Sequence, residues 1–147
     1  MGKKYLIAFS TALIVIIIDQ LAKFLIKTNF QLNESVALIK NIFHLTYIHN
    51  FGAGFGLLQQ QRLILIFISL FVIGVILYYF DRIKEKEKLL QFLVGFVLGG
   101  TIGNLIDRLF YGYVIDFLDF QVWPIFNIAD SFVTIGVIGL IIYLWEK

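Results

Sequence analysis

The chain has no cysteine, a single proline and only two histidines. Without cysteine there is no disulfide, no zinc–thiolate centre and no thiol nucleophile, and the chain cannot itself be lipid-modified through sulfur. The histidines, His44 and His49, stand five residues apart in a segment that reads as a strand, so they point to opposite faces. There is no H-E-x-x-H pattern, and a zinc protease is not expected. Charge is also scarce. Only 15% of residues are Asp, Glu, Lys or Arg, and the net charge is +2. The basic residues are not interleaved with aromatics into a stripe, so nucleic acid is not an expected partner. No Pro- or Ser-rich linker and no repeat divides the sequence. One membrane domain over residues 1–147 is expected.

Apolar residues make up 60% of the chain, and the mean hydropathy is +0.90. A soluble domain of this length cannot bury so much apolar surface, so lipid is the expected solvent. A membrane helix needs about 20 residues to cross about 30 Å of hydrocarbon. Four runs approach that length, roughly Tyr5–Ile26, Leu63–Phe80, Leu89–Phe110 and Ile128–Trp145. Lys3 and Lys4 precede the first run, but no small-residue cleavage site ends it. It reads as a retained helix rather than a removable leader.

Basic residues set the orientation. Lys3 and Lys4 precede the first span, Arg82, Lys84, Lys86 and Lys88 lie between the second and third, and Lys147 follows the fourth. The opposite loops hold Lys40 and Arg62, with no basic residue over 111–127. Both termini are therefore expected in the cytoplasm. Asp107, Asp116, Asp119 and Asp130 then fall at or near the outer face, as do Asp19 and Lys23.

The first outer loop has its own pattern. Residues 41–50, N-I-F-H-L-T-Y-I-H-N, suit a strand that pairs with Val36–Ile39 through a turn near Lys40–Asn41. A small sheet over about 30–61, between the first two helices and lying on the outer face, is expected. The N-F-G-A-G-F-G stretch at 50–56 places three glycines in five residues and allows close backbone approach. In the third span, Gly95, Gly99 and Gly103 recur on one face, the pattern of tight helix packing.

Ionisable groups in these spans are costly, by about 2.5 kcal/mol or more each at the bilayer centre, so each needs a partner or a use. Asp19 and Lys23, at i and i+4, read as a neutralised structural pair. Asn104 and Arg108 share a face, with Asp107 on the neighbouring stripe. Asp116 sits among Val114, Ile115 and Phe117, where desolvation favours the protonated acid. Asp119 reads as an acid pointing into water. Asn127 is a candidate N-cap for the fourth helix, and Asp130 falls in its first turn, where the helix dipole favours the carboxylate. Asp116 and Asp130 thus combine the two environments of an aspartic-protease pair, one acid protonated and one ionised. A serine–lysine pair of Ser131 with Lys23 has no further support. Two other classes fit less well. A transporter or proton relay needs a polar path that the second span and the inner halves of the third and fourth do not offer. A structural scaffold accounts for the glycines but not for the asparagine–aspartate sets.

The blocks D-Q-L-A-K (19–23), N-F-G-A-G-F-G (50–56), G-G-T-I-G-N-L-I-D-R (99–108), V-I-D-F (114–117) and F-N-I-A-D-S (126–131), in this order on four spans, resemble the bacterial lipoprotein signal peptidase family, also called signal peptidase II. The resemblance implies a four-helix inner-membrane endopeptidase with cytoplasmic termini and an outer-face sheet. It implies cleavage of diacylglyceryl-modified prolipoproteins just before the lipidated cysteine, with no metal or organic cofactor, and the membrane lipid and the substrate as partners of a monomer. The family's catalytic aspartates fall on Asp116 and Asp130. Surrounding positions fall on Asn50, Gly52, Asn104, Arg108 and Asn127, with Asp19, Lys23 and Asp107 in support. Asp107 is the rival for a place in the pair, and is expected instead to brace the fold through Arg108 or another partner. Phe51 and Gly54 depart from the usual pattern, which has a small hydroxyl residue and an alanine there, and the interval from Asp116 to Asp130 is short.

Overall fold

The computed structural model of the chain describes residues 3–146. Lys147 and the side chains of Lys3 and Lys4, which entered the orientation count, lie outside that description. Among the described residues, four helices are long and apolar enough to cross a membrane. They are α1 (Lys3–Asn29), α2 (Arg62–Tyr79), α3 (Lys88–Phe110) and α4 (Ile128–Trp145). The first runs three residues past the apolar stretch. Its polar end is held by Thr28 Oγ1 and Asn29 Nδ2, which donate to the carbonyls of Phe24 and Leu25 at 2.9 and 2.8 Å.

The third helix is the axis of the bundle: 61% of its span is buried, against 28%, 17% and 11% for α1, α2 and α4. Its glycines make this possible. A Cβ on Gly99 would lie 2.6 Å from the Ala12 carbonyl of α1, and one on Gly100 would lie 2.4 Å from the Ala129 carbonyl of α4. Both separations are far below van der Waals contact, so the two neighbouring helices rest on bare backbone. The outer surfaces of the helices carry Leu13, Ile14, Phe67, Phe71 and Ile141, all strongly exposed, as lipid-facing surfaces require. Helix α2 is tied to the end of α3 by Arg62, whose Nε and Nη2 donate to the carbonyls of Arg108 and Leu109 at 2.7 and 3.0 Å. These are carbonyls that the α-helix leaves unpaired.

At the same end lies a three-stranded antiparallel sheet, order β1-β2-β3, formed by Ser35–Ile39, Phe43–Asn50 and Val114–Asp119. The hairpin turns through Asn41, whose φ of 61° is a left-handed conformation that asparagine tolerates. The sheet is not confined to the loop between the first two helices. Its third strand comes from the α3–α4 connection and pairs with β2, Ile48 opposite Asp116 and Asn50 opposite Val114. This strand shows no alternation because nearly all of it is buried, on both faces. Ile115 and Phe117 pack with Tyr47 of β2 and Ile26 of α1, so the sheet is seated on the end of the first helix. Asp119 does not point into water. It is buried and accepts from Thr46 Oγ1 of β2 at 2.7 Å and from the Gln121 amide at 2.9 Å.

Because Gly99 admits a backbone contact, Gly99→Val is expected to destabilise the fold by about 1–3 kcal/mol through overpacking. Gly74→Ala, with nothing within 4 Å of the added Cβ, is expected to cost nothing. Thermal unfolding of the detergent-solubilised protein measures both.

Candidate active site

The start of α4 is built by a reciprocal cap. Asn127 Oδ1 accepts from the Asp130 amide at 2.8 Å, and Asp130 Oδ2 accepts from the Asn127 amide at 3.3 Å. This is the capping-box arrangement, which satisfies two otherwise unpaired donors. A third, the Ala129 amide, is met from another helix by Asp19 Oδ1 at 2.9 Å. The other oxygen of Asp130 accepts from Asn104 Nδ2 of α3 at 2.8 Å.

Asp116 reaches the same place from β3. Its Oδ1 accepts from Asn127 Nδ2 at 2.7 Å, and its Oδ2 accepts from Asn50 Nδ2 at 2.8 Å. Asn127 Nδ2 also donates to Asn104 Oδ1 at 3.1 Å. Asp116 and Asp130 are therefore linked through two carboxamides, one from α3 and one from the α4 cap. Both acids border one cavity of about 700 Å³, which Asn50, Arg108 and Ser131 also line and which Val133, Ile135, Phe126 and Trp123 make largely apolar. Burial pushes the Asp116 carboxyl up to about 7, and the neighbouring Asp130 carboxylate adds to the rise. The hydrogen bonds from Asn50 and Asn127 oppose it.

Arg108 lies at the rim. Its Nη2 donates to the Gly52 carbonyl at 3.3 Å and its Nη1 to the Asn104 carbonyl at 3.5 Å. Gly52 in turn donates its amide to Asn50 Oδ1 at 2.9 Å, which fixes that carboxamide with its NH2 toward Asp116. A Cβ at Gly52 would meet the Leu57 carbonyl at 2.6 Å, so the loop closes on itself only with glycine there. Ala53 and Gly54 continue the loop along the cavity wall.

Asp107 does not border the cavity. It is fully buried and accepts from Lys23 Nζ at 2.9 Å, Gln20 Nε2 at 2.9 Å and the Ile115 amide at 3.1 Å. Its partner is Lys23 and not the adjacent Arg108. Lys23 also holds Asp19 at 2.8 Å and Asn104 Oδ1 at 3.1 Å. Ser131 Oγ donates to the Asn127 carbonyl at 2.9 Å, and Lys23 Nζ is directed to Asp19, Asp107 and Asn104 instead, so the two do not form a nucleophile–base pair. Among the described residues, no three His, Asp or Glu side chains are grouped to hold a metal ion. Gln20 and the 120–126 wall were not singled out from the sequence. Gln20 stood within the D-Q-L-A-K block, and the wall before the cap carries Phe120, Trp123 and Phe126 around the chain's single proline, Pro124.

Residues 11–146 match the family model described as signal peptidase (SPase) II. The lipoprotein signal peptidase of Halothermothrix orenii is 44% identical over 139 residues, 95% of each chain. That of Moorella thermoacetica is 47% identical over 92% of this chain and 88% of the relative. The chain belongs to the signal peptidase II family. A solved structure described as a bacterial membrane enzyme superposes with a TM-score of 0.87 at 34% identity, covering 95% of this chain and 87% of the other. A second so described gives 0.86 at 33%, covering 95% and 93%. Signal peptidase II proteins are aspartic peptidases of the membrane, so the chemistry here belongs to carboxyl groups.

The hydrogen bonds at Asp116 set an expected titration. In protein labelled with 13C at aspartate, the Asp116 carboxyl is expected to titrate near 7, and Asn50→Leu, by removing a donor to the carboxylate, is expected to move its midpoint upward. Carbon-detected NMR across the pH range reads both.

Proposed function

We propose that this signal peptidase II cleaves diacylglyceryl-modified prolipoproteins on the amino side of the lipidated cysteine, with Asp116 and Asp130 as the catalytic pair. The observation that carries the reading is that these two buried acids are linked through Asn104 and Asn127 and face one apolar cavity. Asp130, with an N–H donor at each oxygen, takes a proton from water, and the hydroxide attacks the scissile carbonyl. Asp116, which holds a proton up to about pH 7, donates to the carbonyl oxygen as charge develops there. On collapse of the tetrahedral intermediate Asp130 gives its proton to the leaving nitrogen while Asp116 takes back the hydroxyl proton from the re-forming carbonyl, so the pair returns to one shared proton.

Arg108 and the donors around Asn50 receive substrate carbonyls at the rim. The wall formed by Phe126, Trp123, Val133 and Ile135 receives apolar parts of the substrate, whose acyl chains remain in lipid. The distribution of Lys and Arg supports an orientation with both termini in the cytoplasm of a bacterium and the acids at the outer face of its inner membrane. One chain supplies every residue named, so the proposed working unit is a monomer.

Purified protein with a diacylglyceryl prolipoprotein in detergent tests the assignment. Asp116→Asn and Asp130→Asn are each expected to slow cleavage on the order of 10²- to 10⁴-fold with the fold retained. Full turnover by either folded variant rejects the pair. Loss of turnover in a folded Asp107→Asn protein, with Asp116→Asn active, gives the place to Asp107. Turnover by the unaltered protein is expected to decline as pH rises through about 7, because the reaction needs the proton that Asp116 then loses.

A further inference from the structure

Lys23 is 2% exposed in a membrane helix, and it lines no part of the cavity. An ammonium has three protons and no acceptor. All three are directed: to Asp19 Oδ2 at 2.8 Å, Asp107 Oδ2 at 2.9 Å and Asn104 Oδ1 at 3.1 Å. Neutralising a charge requires one carboxylate, so simple charge balance does not account for this arrangement.

Each of the three acceptors makes a further contact beside the proposed pair. Asp19 takes the amide of Ala129, the residue before Asp130. Asp107 takes the amide of Ile115, the residue before Asp116. Asn104 donates to Asp130 itself. Because an ammonium only donates, Asn104 must turn its oxygen to Lys23, which leaves its NH2 for Asp130; Asn127 Nδ2 donates to the same oxygen, and Lys23 supplies its charge-assisted bond. With Lys23 absent, the carboxamide loses its charge-assisted bond and the two backbone anchors lose their common centre.

We propose that Lys23 is a positioning residue of the reaction: its ammonium fixes, through Asp19, Asp107 and Asn104, both the separation of Asp116 from Asp130 and the orientation of the carboxamide that donates to Asp130. The proposal rests on the assignment of that pair. It makes Lys23 necessary for turnover while it touches neither substrate nor the reacting atoms.

The test must separate position from folding. Lys23→Met combined with Asp107→Asn keeps the formal charge of the cluster unchanged. With the melting temperature retained, kcat is expected to fall about 10- to 100-fold, the loss typical of a misplaced reacting group, with KM nearly unchanged because the cavity wall is untouched. A folded double variant with the kcat of Asp107→Asn alone overturns the proposal. If the double variant does not fold, Lys23→Cys provides a second route, since the chain has no other cysteine to react. Alkylation of the unfolded protein with 2-bromoethylamine and refolding restores an ammonium at lysine length, while 1-bromopropane gives a neutral chain of the same length. Recovery of kcat by the ammonium form and not by the folded propyl form supports the proposal. Equal kcat in both overturns it, and so does failure of every neutral form to fold, which makes the role structural. Asp116→Asn and Asp130→Asn are assayed alongside. Turnover in those variants rejects the pair, whereas their inactivity beside an active, folded neutral Lys23 form rejects only the role of Lys23.

Discussion

No lone polar group is stable at membrane depth, and the buried ammonium of Lys23 is where this constraint is met most fully. Acceptors from α1 and α3 surround it, and those acceptors take backbone amides from α4 and β3. Removing any one member would leave another charged or polar group without its partner in a dry interior, which is costlier than the bond itself is favourable. The glycines of α3 belong to the same solution. Gly103 leaves room for the Asp19 carboxylate, whose Oδ2 lies 2.7 Å from where a Cβ would stand. Small residues thus serve two ends here, letting helices touch and letting a charge come between them.

The site sets one acid on a strand and the other on a helix start. These supports impose different surroundings. Asp116 is buried within the sheet end of the site, and that burial, with Asp130 beside it, pushes its carboxyl up to about 7. At the helix start Asp130 accepts from the Asn127 amide and from Asn104 Nδ2. Two identical side chains thus meet different partners, and the aspartic-protease chemistry proposed for them draws on that difference.

Much of this was legible in the sequence because the membrane narrows what a segment can do. Length and hydropathy mark four spans, and an acid in an apolar run must have a reason to be there. Asn127 and Asp130 carry a cap signature that the structure repeats atom for atom. The third strand was not legible. Val114–Asp119 is short, buried on both faces and punctuated by two acids, so it shows neither alternation nor an uninterrupted apolar run. The burial of Asp119 was missed for the same reason, since its partner Thr46 is 73 residues away. Asp107 was recognised as a brace, but its partner was hidden by the proximity of Arg108 in sequence. The i, i+4 spacing finds Asp19 for Lys23, and no local rule finds Asp107 on a different helix.

Pairing β2 with β3 joins the loop after α1 to the segment after α3. A growing polypeptide that has reached Phe110 already owns three spans and the whole hairpin, yet it has neither the strand bearing Asp116 nor the helix bearing Asp130. Asp19 at that stage has no Ala129 amide, and Asp107 has no Ile115 amide. The two carboxyl groups meet only when the last quarter of the molecule has been made and threaded, so an unfinished copy is unarmed.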